Sequence, residues 1–396
     1  MRWLLAALLC LPFSFALEST GFAGEHPVIY GSFIAYEHES NIHLYNIETR
    51  EDKLVARGAH PSIFGYMLVF DVQEVEDING DGDTADSIIY YYEIDDSRLG
   101  VAGVGRHPFV FSNFIVFSTK ESELGVDFSN NGGLGDDIIR GFDLDKKEII
   151  NFKAVGDYPV ATKSSIAFLT QENQQGFDLT ADDDKDDTVL RVLSIETRGV
   201  DNTRLSASPL ALVKGTGVFS TDKLYIFDIK EQKAKALPVS GNHPSIYEGI
   251  IVFEHGGNLY AYDLDTSQIA PLDIKGTDPV LFENTIAFSS KESELGDLNG
   301  NGVEESIIRY SVEDFNHLAY EECDSLDDDC AGLNVRVKRV RSQANNSVSV
   351  VEIPPAVSGT KWYYYAIGMI AFIIILPSLI YFGYRYYRKR KKSFGF

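Results

Sequence analysis

Four stretches of the chain place Asp, Asn and Gly at one shared spacing that is typical of calcium-binding loops. In each stretch a carboxylate opens the loop, oxygen-bearing side chains follow two and four residues later, and a second carboxylate closes it. The candidate ligands are Asp77, Asn79, Asp81 and Asp86; Asp127, Asn131 and Asp136; Asp178, Asp182 and Asp187; and Asp297, Asn299, Asn301 and Glu305. The loops contain no His or Cys, which zinc or copper would favour, so the predicted ion is calcium.

The pattern is most complete in the first and last of these stretches. In the third, Asp183 stands where the others have Gly, although Asp184 adds a further carboxylate. Asn, Asp and Gly are also ordinary turn residues, so solvated acidic hairpins are the alternative interpretation.

Four His-Pro dipeptides form a second candidate site. Their histidines are His26, His60, His107 and His243. Converging imidazoles can bind a transition metal or act as acid and base, but the dipeptide also reads as a structural part of a repeat. We expect the structural role. Gly-x-Ser-x-Gly, Cys-x-x-Cys, phosphate-loop and dinucleotide glycine motifs are absent, so no nucleophile or cofactor site is predicted.

The amino-acid composition excludes one class of binding partner for this protein. The chain of 396 residues has a net charge of −24 and is 44% hydrophobic. Such an acidic surface repels phosphate backbones, which excludes nucleic acid, and the apolar content excludes wholesale disorder.

The elements that position these residues repeat along the chain. An X-Pro dipeptide occurs seven times, as His26-Pro27, His60-Pro61, His107-Pro108, Tyr158-Pro159, Ser208-Pro209, His243-Pro244 and Asp278-Pro279. Each dipeptide opens a run of four short apolar or alternating segments, which predicts an all-β, seven-bladed β-propeller of four-stranded antiparallel blades. The acidic loops lie between the second and third strands of blades two, three, four and seven. The hexapeptide KESELG occurs at residues 120–125 and 291–296 and is interpreted as a trace of blade duplication.

This repeat resembles the TolB-like, or WD40-like, propeller repeat. The resemblance is carried by residues 60–70 (HPSIFGYMLVF) and 243–253 (HPSIYEGIIVF), and it covers roughly residues 26–320. It implies the propeller architecture but no particular activity. The outer strand of the last blade comes from residues 17–24, which precede the first X-Pro dipeptide as other fourth strands do, or from residues 317–321, and the sequence does not decide between them.

Both ends of the chain predict targeting segments. Residues 1–16 read as a signal peptide and residues 362–384 as a transmembrane helix, because the latter could cross a hydrocarbon core of about 30 Å. The basic tail at 385–396 predicts a cytoplasmic C-terminus, with the propeller at 17–322 outside the cell membrane. Residues 323–361 are a predicted stalk, with a disulfide between Cys323 and Cys330.

The predicted function is a membrane-anchored, calcium-stabilised binding, adhesion or scaffold module without catalysis, whose ligand is a protein or polysaccharide outside the cell. One alternative is a metal-assisted polysaccharide lyase or hydrolase that uses the four histidines. A third alternative is an accessory subunit of an envelope complex, as the TolB-like resemblance suggests.

Overall fold

The computed structural model describes residues 17–313 except Asn79 and Asp81, together with Phe315 and the short strands Glu321–Glu322 and Lys338–Arg339. The predicted signal peptide, disulfide, transmembrane helix and cytoplasmic tail, and almost all of the predicted stalk, lie outside the described residues. Among the described residues, no helix has the length and apolar character needed to cross a bilayer.

The described residues form seven four-stranded antiparallel sheets, which are the blades of a β-propeller. The predicted fold class is therefore confirmed for the propeller.

The strand β1 (Leu17–Ala23) precedes blade one. Blade one contains β2 (Glu25–Tyr30), β3 (Phe33–His38), β4 (Asn41–Asn46) and β5 (Glu51–Arg57). Blade two contains β6 (Ala59–Phe64), β7 (Met67–Gln73), β8 (Ser87–Glu93) and β9 (Arg98–Val104). Blade three contains β10 (Arg106–Phe111), β11 (Phe114–Lys120), β12 (Asp137–Asp143) and β13 (Glu148–Val155).

The remaining blades follow the same order. Blade four contains β14 (Asp157–Ala161), β15 (Ser165–Gln171), β16 (Thr188–Ser194) and β17 (Val200–Ser206). Blade five contains β18 (Ala211–Val213), β19 (Thr216–Ser220), β20 (Leu224–Asp228) and β21 (Lys233–Ala236). Blade six contains β22 (Asn242–Tyr247), β23 (Ile250–His255), β24 (Asn258–Asp263) and β25 (Gln268–Lys275). Blade seven contains β26 (Thr277–Phe282), β27 (Thr285–Lys291) and β28 (Ser306–Val312).

The ring is closed by its N-terminal strand. β1 pairs antiparallel with β28 and becomes the outer strand of blade seven, so that the two ends of the ring belong to one sheet. Of the two closures that the sequence leaves open, the structure has the N-terminal one. Beyond the ring, β29 (Glu321–Glu322) pairs with β30 (Lys338–Arg339), and β30 contacts β25.

The core lies between the blades. Seven clusters of buried apolar side chains fill the seven interfaces between neighbouring blades, including the one between blades seven and one. The second strand of every blade contributes one fully buried aromatic residue; these are Tyr36, Phe70, Phe117, Phe168, Phe219, Phe253 and Phe288. Because a single sheet cannot bury both of its faces, each blade depends on its neighbours for stability.

A bulge lies next to the residue before the proline in six of the seven blades. In six blades this residue has a left-handed backbone with φ between 47° and 51°; they are His26, His60, His107, Tyr158, His243 and Asp278. In the blades of the four histidines the register between the first two strands shifts at this point. In a propeller, the entry to the first strand and the loop between the second and third strands lie on one face. The four histidines and the four acidic loops therefore share a face of the ring.

Candidate functional site

The four acidic loops leave the ends of β7, β11, β15 and β27, as the sequence predicts. In three of them the loop begins with a single helical turn: α1 (Glu121–Leu124), α2 (Glu172–Gln175) and α3 (Glu292–Leu295). The KESELG repeat thus forms the last residue of a strand and the turn that follows it.

A buried glutamate lies at the base of each loop. Glu121 and Glu172 are 0% exposed and Glu292 is 3% exposed, while Glu74 occupies the same place in blade two. The backbone N–H of each glutamate donates to the carbonyl oxygen of the residue that closes its loop, at 2.8–3.0 Å; the acceptors are Asp86, Asp136, Asp187 and Glu305. Each loop is thus closed by a backbone hydrogen bond between its base glutamate and the residue that the sequence places at its closing position.

The carboxylates of the base glutamates accept hydrogen bonds from backbone amides of their loops. In blade four, Glu172 Oε1 accepts the backbone N–H groups of Leu179 and Thr180 at 2.6 and 2.8 Å. Glu121 accepts from two loop amides in the same way, and Glu292 accepts from three. Among the described residues, Glu121, Glu172 and Glu292 form no ion pair with Lys, Arg or His. A buried carboxylate without a positive partner is costly, and a bound cation would offset that cost.

The carboxylate of the opening aspartate of each loop accepts two hydrogen bonds from backbone amides later in the same loop. Asp297 Oδ1 accepts the N–H of Gly300 at 2.6 Å, and its Oδ2 accepts that of Gly302 at 3.1 Å. The corresponding carboxylates of Asp77, Asp127 and Asp178 bond to the amides three and five residues later in the same way. In blade three these hydrogen bonds lower the pKa of Asp127.

In blade four, three carboxylates converge. Oxygen atoms of Glu172, Asp184 and Asp187 all lie within 4.8 Å of one another, which no other group of three His, Cys, Asp or Glu residues achieves in the described part of the chain. Oxygen ligands at about 2.3–2.6 Å from one calcium ion would have such separations. Desolvation raises the pKa of Asp187, and the charges of Asp182 and Glu172 raise it further.

In blades three and seven, amide side chains face the closing carboxylate. Asn131 Nδ2 donates to Asp136 Oδ2 at 2.7 Å, and Asn299 and Asn301 both donate to Glu305 Oε2, at 3.1 and 2.8 Å. These residues are predicted ligands, and the loops bring them together. The oxygen atoms of these amides accept backbone N–H groups of the same loops, at 2.7–3.0 Å.

The remaining predicted ligands are distributed as follows. In blade two, Asp86 is buried and Asp77 is exposed, while Asn79 and Asp81 lie outside the described residues. In blade four, Asp178 holds the loop backbone and Asp182 is exposed. The predicted ligands in the described loops carry carboxylate or amide oxygen atoms, which are the ligand types that calcium prefers.

Each of the four histidines lies at the start of the first strand of its blade, close to a carboxylate. Nδ1 of His107 lies 2.7 Å from Asp157, and that of His60 lies 3.0 Å from Asp71. His243 Nδ1 is 3.1 Å from Asp278, and His26 Nδ1 is 3.6 Å from Glu37. The partner carboxylates raise the pKa of His26 and of His60. In the described residues each of these imidazoles thus has a carboxylate neighbour, and no three of them converge on a shared point.

Side chains at the starts of the first strands of blades two, three and four contact one another. The rings of His60 and His107 meet edge to face with centroids 4.6 Å apart, and His107 stacks on Tyr158 at 4.0 Å. The backbone N–H of His107 also donates to Asp71 Oδ2 at 3.0 Å. These contacts join neighbouring blades, which is a structural role.

A cluster of charged side chains lies beside His107. The guanidinium of Arg106 pairs with Asp137, lies 3.7 Å from Glu123 and lies 4.0 Å from Asp157. Burial raises the pKa of Glu123 and of Asp137. Glu123 Oε2 is buried and has no hydrogen-bond partner among the described residues.

The base glutamates are absent from the set of ligands predicted from the sequence. A signal for them exists: each follows a Gln or Lys at the end of the second strand, as Gln73-Glu74, Lys120-Glu121, Gln171-Glu172 and Lys291-Glu292. The blades with short loops lack this pair at that place. The KESELG repeat is therefore part of the loop architecture.

The comparisons with known proteins identify the fold. No protein-family model matches the chain, and no curated protein matches its sequence. Among solved structures, the propeller domain of the Trilobed protease from Pyrococcus furiosus is similar, with 13% identity, a TM-score of 0.50, and coverage of 76% of this chain and 99% of that one. Acylaminoacyl peptidase from Pyrococcus horikoshii is similar with 12% identity and a TM-score of 0.50 over 78% of this chain and 56% of that one. TolB from Acinetobacter baumannii matches with 12% identity and a TM-score of 0.37 over 67% of this chain and 65% of that one. The predicted propeller architecture is confirmed, and at these identities the likeness shows the fold alone.

Proposed function

We propose that the protein is a calcium-stabilised binding propeller that presents its long-loop face to a ligand outside the cell. The observation that carries the proposal is the set of buried base glutamates, Glu121, Glu172 and Glu292, which have no ion-pair partner among the described residues. A divalent cation above each glutamate would supply the missing positive charge and tie the loop to the blade.

The proposed ligands combine the base glutamates with the sequence-predicted positions. In blade four they are Glu172, Asp184 and Asp187, and in blade seven Glu292, Asn299, Asn301 and Glu305. The corresponding sets in blade two and blade three are centred on Asp86 and Asp136. The ion would act as a structural clamp, since the loops hold no residue suited to activate a bound water molecule beyond these carboxylates.

The ligand is proposed to bind a polar cavity on this face. A cavity of about 540 Å³ lies between blades seven and one, and its wall includes Glu37, Glu39, Lys291, Glu304 and Glu305. Its lining is charged and hydroxylic, which suits a hydrophilic protein segment or a polysaccharide. Glu305 belongs both to this wall and to the loop of blade seven, so calcium in that loop would fix one side of the cavity.

We also propose that residues 362–384 anchor the propeller in the cell membrane with the C-terminal tail in the cytoplasm. The support is the apolar run and the basic cluster after it. Because the propeller would then lie outside the cytoplasm, it would meet calcium concentrations that suit sites of moderate affinity.

Thermal unfolding in calcium and in chelator tests the proposal. A ligand that binds only the native state stabilises it by about 2.7 kcal/mol at 100 times its dissociation constant, so calcium should raise the melting temperature. The variant with Glu172→Gln and Asp187→Asn should show a smaller rise. The matched control Glu196→Gln, at an exposed glutamate of the same blade, should show the full rise. Equal melting temperatures of the wild type in calcium and in chelator would contradict the proposal.

A second candidate function is a metal-assisted polysaccharide lyase or hydrolase. The observation in its favour is that His60, His107 and His243 each bond to a carboxylate through Nδ1, which leaves Nε2 available. Incubation of the protein with an acidic polysaccharide and a transition metal separates the candidates. Cleavage that His107→Asn abolishes while the fold persists would favour the enzyme, and absence of cleavage favours the binding module.

A further inference from the structure

We propose that the loops of blades two, three and four dock onto an anionic lipid bilayer when they hold calcium, an inference that rests on the proposed calcium sites. The three loops carry exposed apolar side chains next to their acidic residues; these are Val75, Ile78, Val126, Leu134 and Phe177. Phe177 is 68% exposed and Val75 is 65% exposed. Exposed apolar side chains that together form a patch on one face of a protein commonly mark a site of interaction with a membrane or another protein.

The apolar residues are concentrated in the acidic loops. Seven of the sixteen exposed large apolar side chains among the described residues lie in the four long loops, where blade seven adds Leu295 and Val303. All loops between second and third strands leave a propeller on one face. Blades two to four are consecutive, so their apolar tips follow one arc of that face.

The loops hold the tips in defined positions. Val126 and Phe177 stand at the same place, directly before the opening aspartates Asp127 and Asp178. Each of these aspartates bonds to two later amides of its loop, and the base glutamate bonds to two more. A side chain on such a loop loses little conformational entropy when it is inserted into another phase.

The composition of the loops favours lipid over protein. None of the four loops contains Tyr, Trp or Arg, although the chain has 21 Tyr, and these three residue types dominate the binding energy of protein interfaces. The tips are distributed over the loops of three consecutive blades, and the cavity on this face is lined by charged and polar residues. A set of Val, Ile, Leu and Phe side chains on one face is suited to insertion at the boundary between headgroups and acyl chains.

The charge of the loops makes the docking conditional on calcium. The loop of blade four alone contains Asp178, Asp182, Asp183, Asp184, Asp186 and Asp187, against the single cation Lys185. Without bound cations these loops repel anionic headgroups. A calcium ion held by the loop can accept a phosphate oxygen as a further ligand, which joins the protein to the lipid.

Tryptophan quenching by brominated lipids tests the proposal on the full chain. The Phe177→Trp variant, in a chain whose native Trp3 and Trp362 are replaced by Phe, is reconstituted into vesicles of phosphatidylcholine, or of phosphatidylcholine with phosphatidylglycerol, that carry bromine on the acyl chains. The matched control is Leu54→Trp, since Leu54 is 58% exposed on the outer strand β5. We expect calcium to quench Phe177→Trp in the anionic vesicles alone, chelator to restore the emission, and Leu54→Trp to remain unchanged.

Adding Val75→Ser and Val126→Ser to the reporter should raise the calcium concentration for half-maximal quenching about tenfold, because less apolar surface enters the bilayer. Equal quenching in neutral vesicles would overturn the proposal, as would a blue shift without quenching, which indicates a protein contact such as a second copy. If calcium raises the melting temperature but quenches nothing, the docking is wrong and the proposed function stands. If calcium changes neither, both are wrong.

Discussion

Individual side-chain contacts explain why six of the seven blades pack in the same way around the second strand. In six blades a glycine three residues before the proline packs on the buried aromatic residue of the second strand; these glycines are Gly24, Gly58, Gly105, Gly156, Gly241 and Gly276. Directly across from the aromatic residue, the third strand supplies a flat side chain, as Tyr90 does for Phe70 and Arg140 does for Phe117. The aromatic ring is thus enclosed by backbone on one side and a planar group on the other.

The glycine before blade two provides a test of this packing. A Cβ atom on Gly58 would lie 2.6 Å from Phe70 Cδ2 and 2.8 Å from the carbonyl oxygen of Asp71. We expect Gly58→Ala to lower the free energy of unfolding by about 1–3 kcal/mol, since an overpacked core must shift. Thermal or urea unfolding measures the change. The control Gly135→Ala, where no atom lies within 4 Å of the added Cβ, should leave the stability nearly unchanged.

The charged cluster at Arg106 predicts a dependence on pH. Burial raises the pKa of Glu123 above its ordinary value of 4.5, so the neutral acid is favoured in the folded state. A raised pKa contributes stability at low pH that is lost as the pH rises through the folded value. Glu123→Gln should therefore melt at a higher temperature than the wild type near neutral pH and at a similar temperature near pH 4. If the variant is less stable at neutral pH, the attraction to Arg106 outweighs the burial.

At the scale of the elements, the sequence predicts the repeats well and the loop interiors incompletely. The X-Pro dipeptides and the apolar alternation locate all seven blades, because strand period and turn chemistry are local properties. The bulge at residues such as His60 and the role of Glu172 depend on contacts with other strands. A sequence pattern cannot show that Glu172 turns inward below its loop, since Glu is usually exposed at a strand end.

Amide hydrogen exchange tests whether Glu172, at the end of the second strand of blade four, fixes the loop that follows it. Glu172→Ala removes the acceptor of the Leu179 and Thr180 amides and leaves the interior of the loop without its central carboxylate. We expect these two amides to lose protection, and the melting temperature to fall, because buried N–H groups without acceptors cost about 1–3 kcal/mol each. Glu196→Ala in the same blade is the control. Unchanged protection of both amides would show that the glutamate does not hold the loop.

At the scale of the whole molecule, stability comes from closing the ring. Every blade is packed on two neighbours, and the N-terminal strand β1 completes the sheet that contains β28. Thr20 adds a hydrogen bond from its Oγ1 to the carbonyl oxygen of Ile308 at 2.7 Å. Without β1, the edge of β28 would expose unpaired backbone groups.

Truncation tests the closure. A chain that begins at Gly24 should melt more than about 5 °C below one that begins at Leu17, and it should associate through the exposed edge of β28. Thermal unfolding and size-exclusion chromatography measure the two effects. Identical melting curves and elution volumes would mean that β1 does not close the ring.

Isothermal titration calorimetry of the full chain with calcium, after treatment with chelator, counts the ions that the loops bind. We expect saturable binding of about two to four ions per chain, with fewer ions when Glu172 and Glu292 are both replaced by Gln. A titration without binding heat, together with a melting temperature that is the same in calcium and in chelator, would contradict the proposed calcium sites.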